Sequence, residues 1–278
     1  MAVEPTPLSA NNQRLATLRR LTGRRKARLE AGRFVIEGPV ALAEALAAGV
    51  VVDELYVDAR TWADAFTSAG GDAPLIELVD MAAASGATVW SLADGVIDSV
   101  SDTVSPQGVL AVAPRRTVTI DELLRAPGPV LVLVDIADPG NAGTLVRASE
   151  ASGAAGVVFA GSSTDAFGPK AVRAAAGSLL RLPIVEAPEL RDCLDRLREA
   201  GRTLVATVAS GGAAPELLDL TGPIAVLIGS EAHGLPPEVV SGCDHRLTIP
   251  VAPTVESLNA AVAGALVLFE ASRQRRTP

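Results

Sequence analysis

The sequence predicts an α/β protein of two domains, a small α/β sandwich followed by a larger domain built on a parallel sheet. Three observations carry that reading. The chain has 278 residues, against a usual domain size of roughly 100–200. Short apolar runs alternate with stretches of helix formers along most of its length. Some of those runs, such as Val130 to Val134, are apolar at every position, the pattern of a strand covered on both faces. At 49% hydrophobic and 20% charged residues, the composition excludes disorder for the bulk of the chain.

The front domain is assigned to residues 1–113. After a basic segment, Phe34-Val35-Ile36-Glu37-Gly38-Pro39 reads as a strand ended by turn residues, and Val40 to Ala48 as a helix. Strand Val51 to Val57, helix Pro74 to Ala84, strand Ala87 to Ser91 and strand Gly108 to Ala113 follow. A polar connection, 114–129, begins at Pro114-Arg115-Arg116, passes through a short helical piece, Asp121 to Arg125, and ends at Pro127-Gly128-Pro129. The second domain, 130–278, runs strand Val130 to Val134, helix Ala142 to Ser152, strand Gly156 to Ala160, helix Pro169 to Ala176 and strand Leu182 to Val185. Helix Leu190 to Ala200, strands Thr203 to Val208, Ile224 to Gly229 and Arg246 to Ile249, and a last helix from about Leu258 to Arg275 complete it. Its βα order implies a parallel sheet, which binds ligands in loops beyond the carboxyl ends of its strands.

No apolar run approaches the roughly 20 residues of a membrane span, and the polar start, Met1 to Gln13, lacks the layout of a signal peptide. Cys193 and Cys243 cannot build a disulfide framework. A cytoplasmic protein with no membrane partner is expected. The net charge of −8 argues against nucleic acid when taken alone. Its distribution argues the other way: Arg14, Arg19, Arg20, Arg24, Arg25, Lys26, Arg28 and Arg33 face one acid, Glu30, a local excess of +7. Such a run is a solvated, partly frayed helical arm or an RNA-docking segment.

Three loops at the strand ends are rich in Gly, Pro and polar residues. In Asp135-Ile136-Ala137-Asp138-Pro139-Gly140-Asn141-Ala142-Gly143-Thr144, Asn141 is a candidate N-cap and Arg147 follows on the face of Thr144. In Gly229-Ser230-Glu231-Ala232-His233-Gly234-Leu235-Pro236 the glycines allow close backbone approach to a ligand, but neither the P-loop nor the dinucleotide fingerprint is present. In Ile249-Pro250-Val251-Ala252-Pro253-Thr254-Val255-Glu256-Ser257-Leu258-Asn259, Ser257 or Asn259 caps the last helix or points into a site. His233, Cys243 and His245 match no zinc spacing, so no metal is expected. There is no Gly-x-Ser-x-Gly elbow.

In this order, the three loops resemble the signature motifs of the SpoU (TrmH-like) RNA 2′-O-ribose methyltransferases of the SPOUT class. Asp138-Pro139-Gly140-Asn141-Ala142-Gly143-Thr144 with Arg147 is similar to the first motif, Ile228 to Leu235 to the second, and Ile249-Pro250 with Ser257-Leu258-Asn259 to the third. Ala232 stands where many members have Gly, and Ala175 where a Ser is common. The front half resembles the ribosomal-protein-like substrate-binding domain of many members, through Arg24-Arg25-Lys26 and Phe34 to Gly38. The resemblance implies a deep trefoil knot in the C-terminal domain, a homodimer and S-adenosylmethionine as cofactor. It implies catalytic or site-holding roles for Arg147, Asn141, Glu231, Ser257 and Asn259, and cofactor contacts from Gly229, Ile249, Leu258 and Thr207. RNA contacts fall to Arg24, Arg25, Arg28 and Arg173. Large-subunit rRNA is the expected substrate; tRNA, a non-catalytic RNA-binding or ribosome-assembly protein on the same fold, and a small-molecule nucleotide-binding enzyme are the alternatives.

Overall fold

The computed structural model describes residues 3–67 and 73–276. The chain divides into two compact units, Met1–Arg116 with Phe167–Leu180, and Thr117–Ala166 with Arg181–Pro278.

The first unit contains β1 (Thr6–Leu8), α1 (Gln13–Gly23), α2 (Arg25–Ala31), β2 (Arg33–Glu37), α3 (Pro39–Ala47), β3 (Glu54–Asp58), α4 (Ala59–Thr67), α5 (Ala73–Ala84), β4 (Thr88–Leu92) and β5 (Val109–Pro114). Its sheet has the order β1-β4-β3-β5-β2, with β3 parallel to β4 and antiparallel to β5. The basic segment is not a frayed arm. Leu15, Leu18 and Leu21 of α1 recur at helical spacing and are buried against Val35, Tyr56 and Leu110, and Asn12 caps the helix by accepting from Arg14 N at 3.0 Å. That stripe is present in the sequence but surrounded by cations, which hides a packed helix inside an apparent charge run. β1 and α4 give no comparable signal in the sequence.

The second unit contains α6 (Ile120–Leu123), β6 (Val130–Val134), α7 (Pro139–Ser152) and β7 (Gly156–Ala160). After α8 (Pro169–Ala175), which groups with the first unit, come β8 (Ile184–Ala187), α9 (Leu190–Glu199), β9 (Thr203–Thr207), β10 (Ile224–Ile228), α10 (Pro237–Gly242), β11 (His245–Leu247) and α11 (Ala260–Arg276). Six strands in the order β11-β9-β10-β6-β7-β8 pair in parallel throughout. Every residue of β6, β7 and β10 is buried, as their unbroken apolar runs require. The chain builds outward through β6, β7 and β8 and then sets β10 on the other side of β6. That reversal is where open parallel sheets bind ligands.

Two boundaries differ from the sequence reading. Residues 117–129 are not a free linker: Thr119 and Glu122 close a capping box on α6, Leu123 is buried in the core of the second unit, and Val118 N donates to Ile184 O at 2.9 Å. The α8 segment, assigned from sequence to the second domain, packs within the first unit. Phe167 meets Phe34 edge-on at 5.1 Å, and Arg173 pairs with Glu37 at 3.3 Å and Asp102 at 3.0 Å.

Candidate functional site

A cavity of about 610 Å³ lies where β9, β10 and β11 end, lined by Thr207, Val208, Ile228, Gly229, Leu235, Leu247, Ile249, Val251 and Leu258 among others. Its size falls in the range of small-molecule and cofactor sites, about 300–1,000 Å³. Gly229 is required by the fold: a side chain there would run into the backbone of Gly234 and Leu235. The turn folds back on itself through Ser230 N to Gly234 O at 3.2 Å and Gly234 N to Ser230 O at 2.8 Å, with Gly234 left-handed at φ 68°. Ala232 is not among the positive-φ residues, so an alanine stands there without backbone strain. The Thr207 hydroxyl donates to Leu227 O at 2.7 Å, which ties β9 to β10 and uses that donor internally.

The ionisable side chains of the lining are Glu231, Glu256 and His233; no Lys or Arg is among them. A polyphosphate needs cations or a nest of amides, whereas two carboxylates beside an apolar wall suit a ligand carrying positive charge. Burial pushes the Cys193 thiol up to about 12 and Cys243 to about 11, so both are inert thiols at neutral pH. Among the described residues no cluster of His, Cys, Asp or Glu is arranged to hold a metal.

Beside the cavity, one hydrogen-bonded chain joins the three loops. Asn141 Nδ2 donates to Glu231 Oε1 at 2.7 Å, and Asn259 Nδ2 donates to Asn141 Oδ1 at 3.0 Å. Asn259 Oδ1 accepts from Ala261 N and Val262 N at 2.9 and 3.2 Å and so caps α11. Asn141 is not the cap of α7. Asp138 is, accepting from Asn141 N at 2.9 Å, because the helix begins one turn earlier, at Pro139, where a fixed φ and a missing N–H cost nothing. Asn141 is therefore inside the first turn with its amide free to bridge.

Arg147 is exposed on α7, on the face of the exposed Thr144, and has no hydrogen-bond or ion-pair partner among the described residues. Ser257 is exposed at the cavity rim. The cavity wall also includes Glu256, Leu235, Leu247 and Val251, to which the sequence reading gave no site role, and His233, which it weighed only as a metal ligand. Only their membership of the second and third loops, or of the strand between, could have flagged them.

The basic residues expected to touch RNA divide. Arg24 and Arg25 are exposed, and the Arg24 guanidinium has no partner among the described residues. Arg28 contradicts the expectation. It is 5% exposed and donates to Leu21 O at 2.6 Å and Thr22 O at 2.9 Å, satisfying the open carbonyls at the end of α1. Arg173 is held by Glu37 and Asp102. Arg14 pairs with Glu54 and Arg33 with Asp53.

A parallel sheet that reverses order, a cavity of cofactor size at its edge whose ionisable lining is two glutamates and a histidine, and an arginine on α7 without a partner among the described residues define an α/β protein with a small-molecule site at its sheet edge. Comparison with known proteins names its family. The SpoU rRNA Methylase family matches residues 128–269, and the MRM3-like substrate binding domain matches residues 12–111. An uncharacterized tRNA/rRNA methyltransferase of Synechocystis sp. is 33% identical over 271 residues, 96% of this chain and 93% of that protein. The chain belongs to the SpoU family of tRNA/rRNA methyltransferases. The crystal structure of an AdoMet-bound rRNA methyltransferase from Sinorhizobium meliloti superposes with a TM-score of 0.82 at 29% identity, covering 96% of this chain and 97% of that one. A crystal structure described as an RNA 2′-O ribose methyltransferase gives 0.77 at 30% identity over 98% of this chain and 100% of that one.

Proposed function

We propose that this protein methylates a ribose 2′-hydroxyl of RNA, with S-adenosylmethionine as methyl donor and large-subunit rRNA as substrate, in the cytoplasm. The observation that carries the reading is that the Glu231–Asn141–Asn259 chain joins a carboxylate-lined cavity to α7, the helix that bears Arg147, which has no partner among the described residues. The solved neighbour with bound AdoMet and the neighbour described as a 2′-O ribose methyltransferase support it. When bound, S-adenosylmethionine supplies a methyl group on a positively charged sulfur. Gly229, Ile249, Leu258 and Thr207 form the wall that holds it, and Glu231 and Glu256 favour its charge.

Arg147 meets the RNA. A guanidinium with pKa above about 12 is a poor base but a strong partner for phosphate or for the oxygen that gains negative charge as the 2′-hydroxyl loses its proton. Asn141, Glu231 and Asn259 fix the first turn of α7, the helix that carries Arg147, and Ser257 offers a hydroxyl at the rim. Holding both reactants in line contributes roughly 7–11 kcal/mol in favourable systems, so a site with few acid–base residues is adequate. Arg24 and Arg25 contact RNA; Arg173 does so from its carboxylate-held position, and Arg28 is withdrawn from that role.

The reading includes a homodimer and the C-terminal knot. Val262, Leu266 and Phe269 lie at i, i+4 and i+7 on α11 and are each about half exposed, an apolar stripe that a second copy would cover. Replacing Arg147 with Ala tests the role assigned to the site: methyl transfer to RNA falls by at least about 100-fold, the scale of losing one charge-stabilising donor, while cofactor affinity by calorimetry stays within about twofold. Retained turnover would contradict it.

A further inference from the structure

Asp135 sits just beyond β6 with φ 55°, one of two non-glycine residues with positive φ among the described residues, the other being Ala176. Asp tolerates this region better than most residues but still at a cost of order 1 kcal/mol, so something in its surroundings holds it there. Its Oδ1 accepts from Ser162 N at 2.7 Å and from Ser162 Oγ at 2.8 Å. Ser162 belongs to the loop after β7, the strand beside β6. The preceding residue is Gly161, at φ 63°, where any side chain would strike the Asp135 carboxylate.

Two further bonds run between the same loops. Ile136 N donates to Ser163 Oγ at 3.1 Å, and Thr164 N donates to Ile136 O at 2.8 Å. Asp135 and Ile136 are thereby stitched to residues 162–164, two residues before Asp138 caps α7, the helix that carries Asn141 and Arg147.

We infer that Asp135 is a positioning residue for the methyl transfer: its carboxylate locks the loop after β6 to the loop after β7 and so fixes the placement of Asn141 and Arg147. The inference rests on the proposed function for its kinetic half. None of residues 135–166 lines the cavity, so loss of the lock acts mainly on turnover and reaches cofactor binding only through the Asn141–Glu231 bond. A shift of about 1 Å in a reacting group can cost about 100-fold in rate.

The test compares Asp135→Gly, Asp135→Ala and Asp135→Asn with the full-length wild type. Asp135→Gly removes the acceptor while keeping the left-handed backbone free of strain, so it separates loss of the lock from loss of folding; Asp135→Asn keeps both the acceptor and the tolerance of positive φ. For Asp135→Gly and Asp135→Ala, kcat falls about 10- to 100-fold, KM for the cofactor moves less than about threefold, and amide hydrogen exchange accelerates at residues 135–141 and 161–164. Asp135→Asn returns kcat to within about threefold of wild type with wild-type exchange. Exchange in Asp135→Gly equal to wild type, or kcat in Asp135→Asn as low as in Asp135→Ala, overturns the inference. Exchange is read without substrate, so a wild type that transfers no methyl group would count against the proposed function and leave the lock decided by exchange.

Discussion

The basic segment at the start of the chain and the carboxyl edge of the six-stranded sheet both look functional in the sequence, and they use arginine in opposite ways. In the first, most cations are consumed by the fold: Arg28 fills the open end of α1, Arg14 and Arg33 pair with Glu54 and Asp53, and Arg19 bonds Ser99 O and Oγ. At the second, the exposed Arg147 has no partner among the described residues, while Asn141, Glu231 and Asn259 bind one another. A charge count measures neither condition. What separates a structural cation from an available one is whether carbonyls or carboxylates of the same unit already claim it.

Mutations on each side of that comparison sharpen it. The largest effect after Arg147→Ala is expected at Asn141, which touches both Glu231 and Asn259. Its replacement by Ala removes a hydrogen bond to a charged group, worth about 1.5–3 kcal/mol, and is expected to lower kcat by about 10- to 100-fold with the fold intact by circular dichroism. In the basic segment, Arg28→Ala leaves two carbonyls short of a donor at a cost of about 1–3 kcal/mol. It should lower the urea midpoint while the folded fraction keeps its RNA affinity; a change in RNA affinity alone would return Arg28 to the interface.

Smaller again is the double replacement of Arg24 and Arg25 by Gln. It is expected to weaken RNA binding and to reduce the slope of log affinity against log salt by about one unit for each phosphate the two arginines neutralise. An unchanged slope would remove this segment from the interface. The smallest effect concerns α11, where hydrogen bonds from Arg273 and Gln274 hold the Glu270 carboxyl down at about 2. Its contribution is complete above its ordinary value and is lost as pH falls from about 4.5 toward 2. Glu270→Gln should flatten that part of the stability-versus-pH curve, as read by thermal melts.

The strands of the second unit were legible because burial on both faces leaves a continuous apolar run: the sequence reading of Gly156 to Ala160 agrees with β7 residue for residue. Partnership over distance was not legible. Asn141 is 90 residues from Glu231 and 118 from Asn259, and without the family resemblance their types and local spacing would have suggested only helix caps. The apolar cavity wall, Leu235, Leu247 and Val251, is composed like core and gives no local signal. The grouping of α8 with the first unit depends on Phe167 and Arg173 meeting β2 more than 130 residues earlier in the chain, which periodicity cannot report.

The most direct test of the account is to incubate the purified full-length protein with methyl-labelled S-adenosylmethionine and protein-free large-subunit rRNA, and then to hydrolyse the RNA with alkali. A 2′-O-methyl group blocks cleavage at its own nucleotide, so the account predicts label recovered in one alkali-resistant dinucleotide. Label recovered only in mononucleotides, as a methylated base would give, or no incorporation into the rRNA while a parallel incubation with tRNA takes up label, would contradict it.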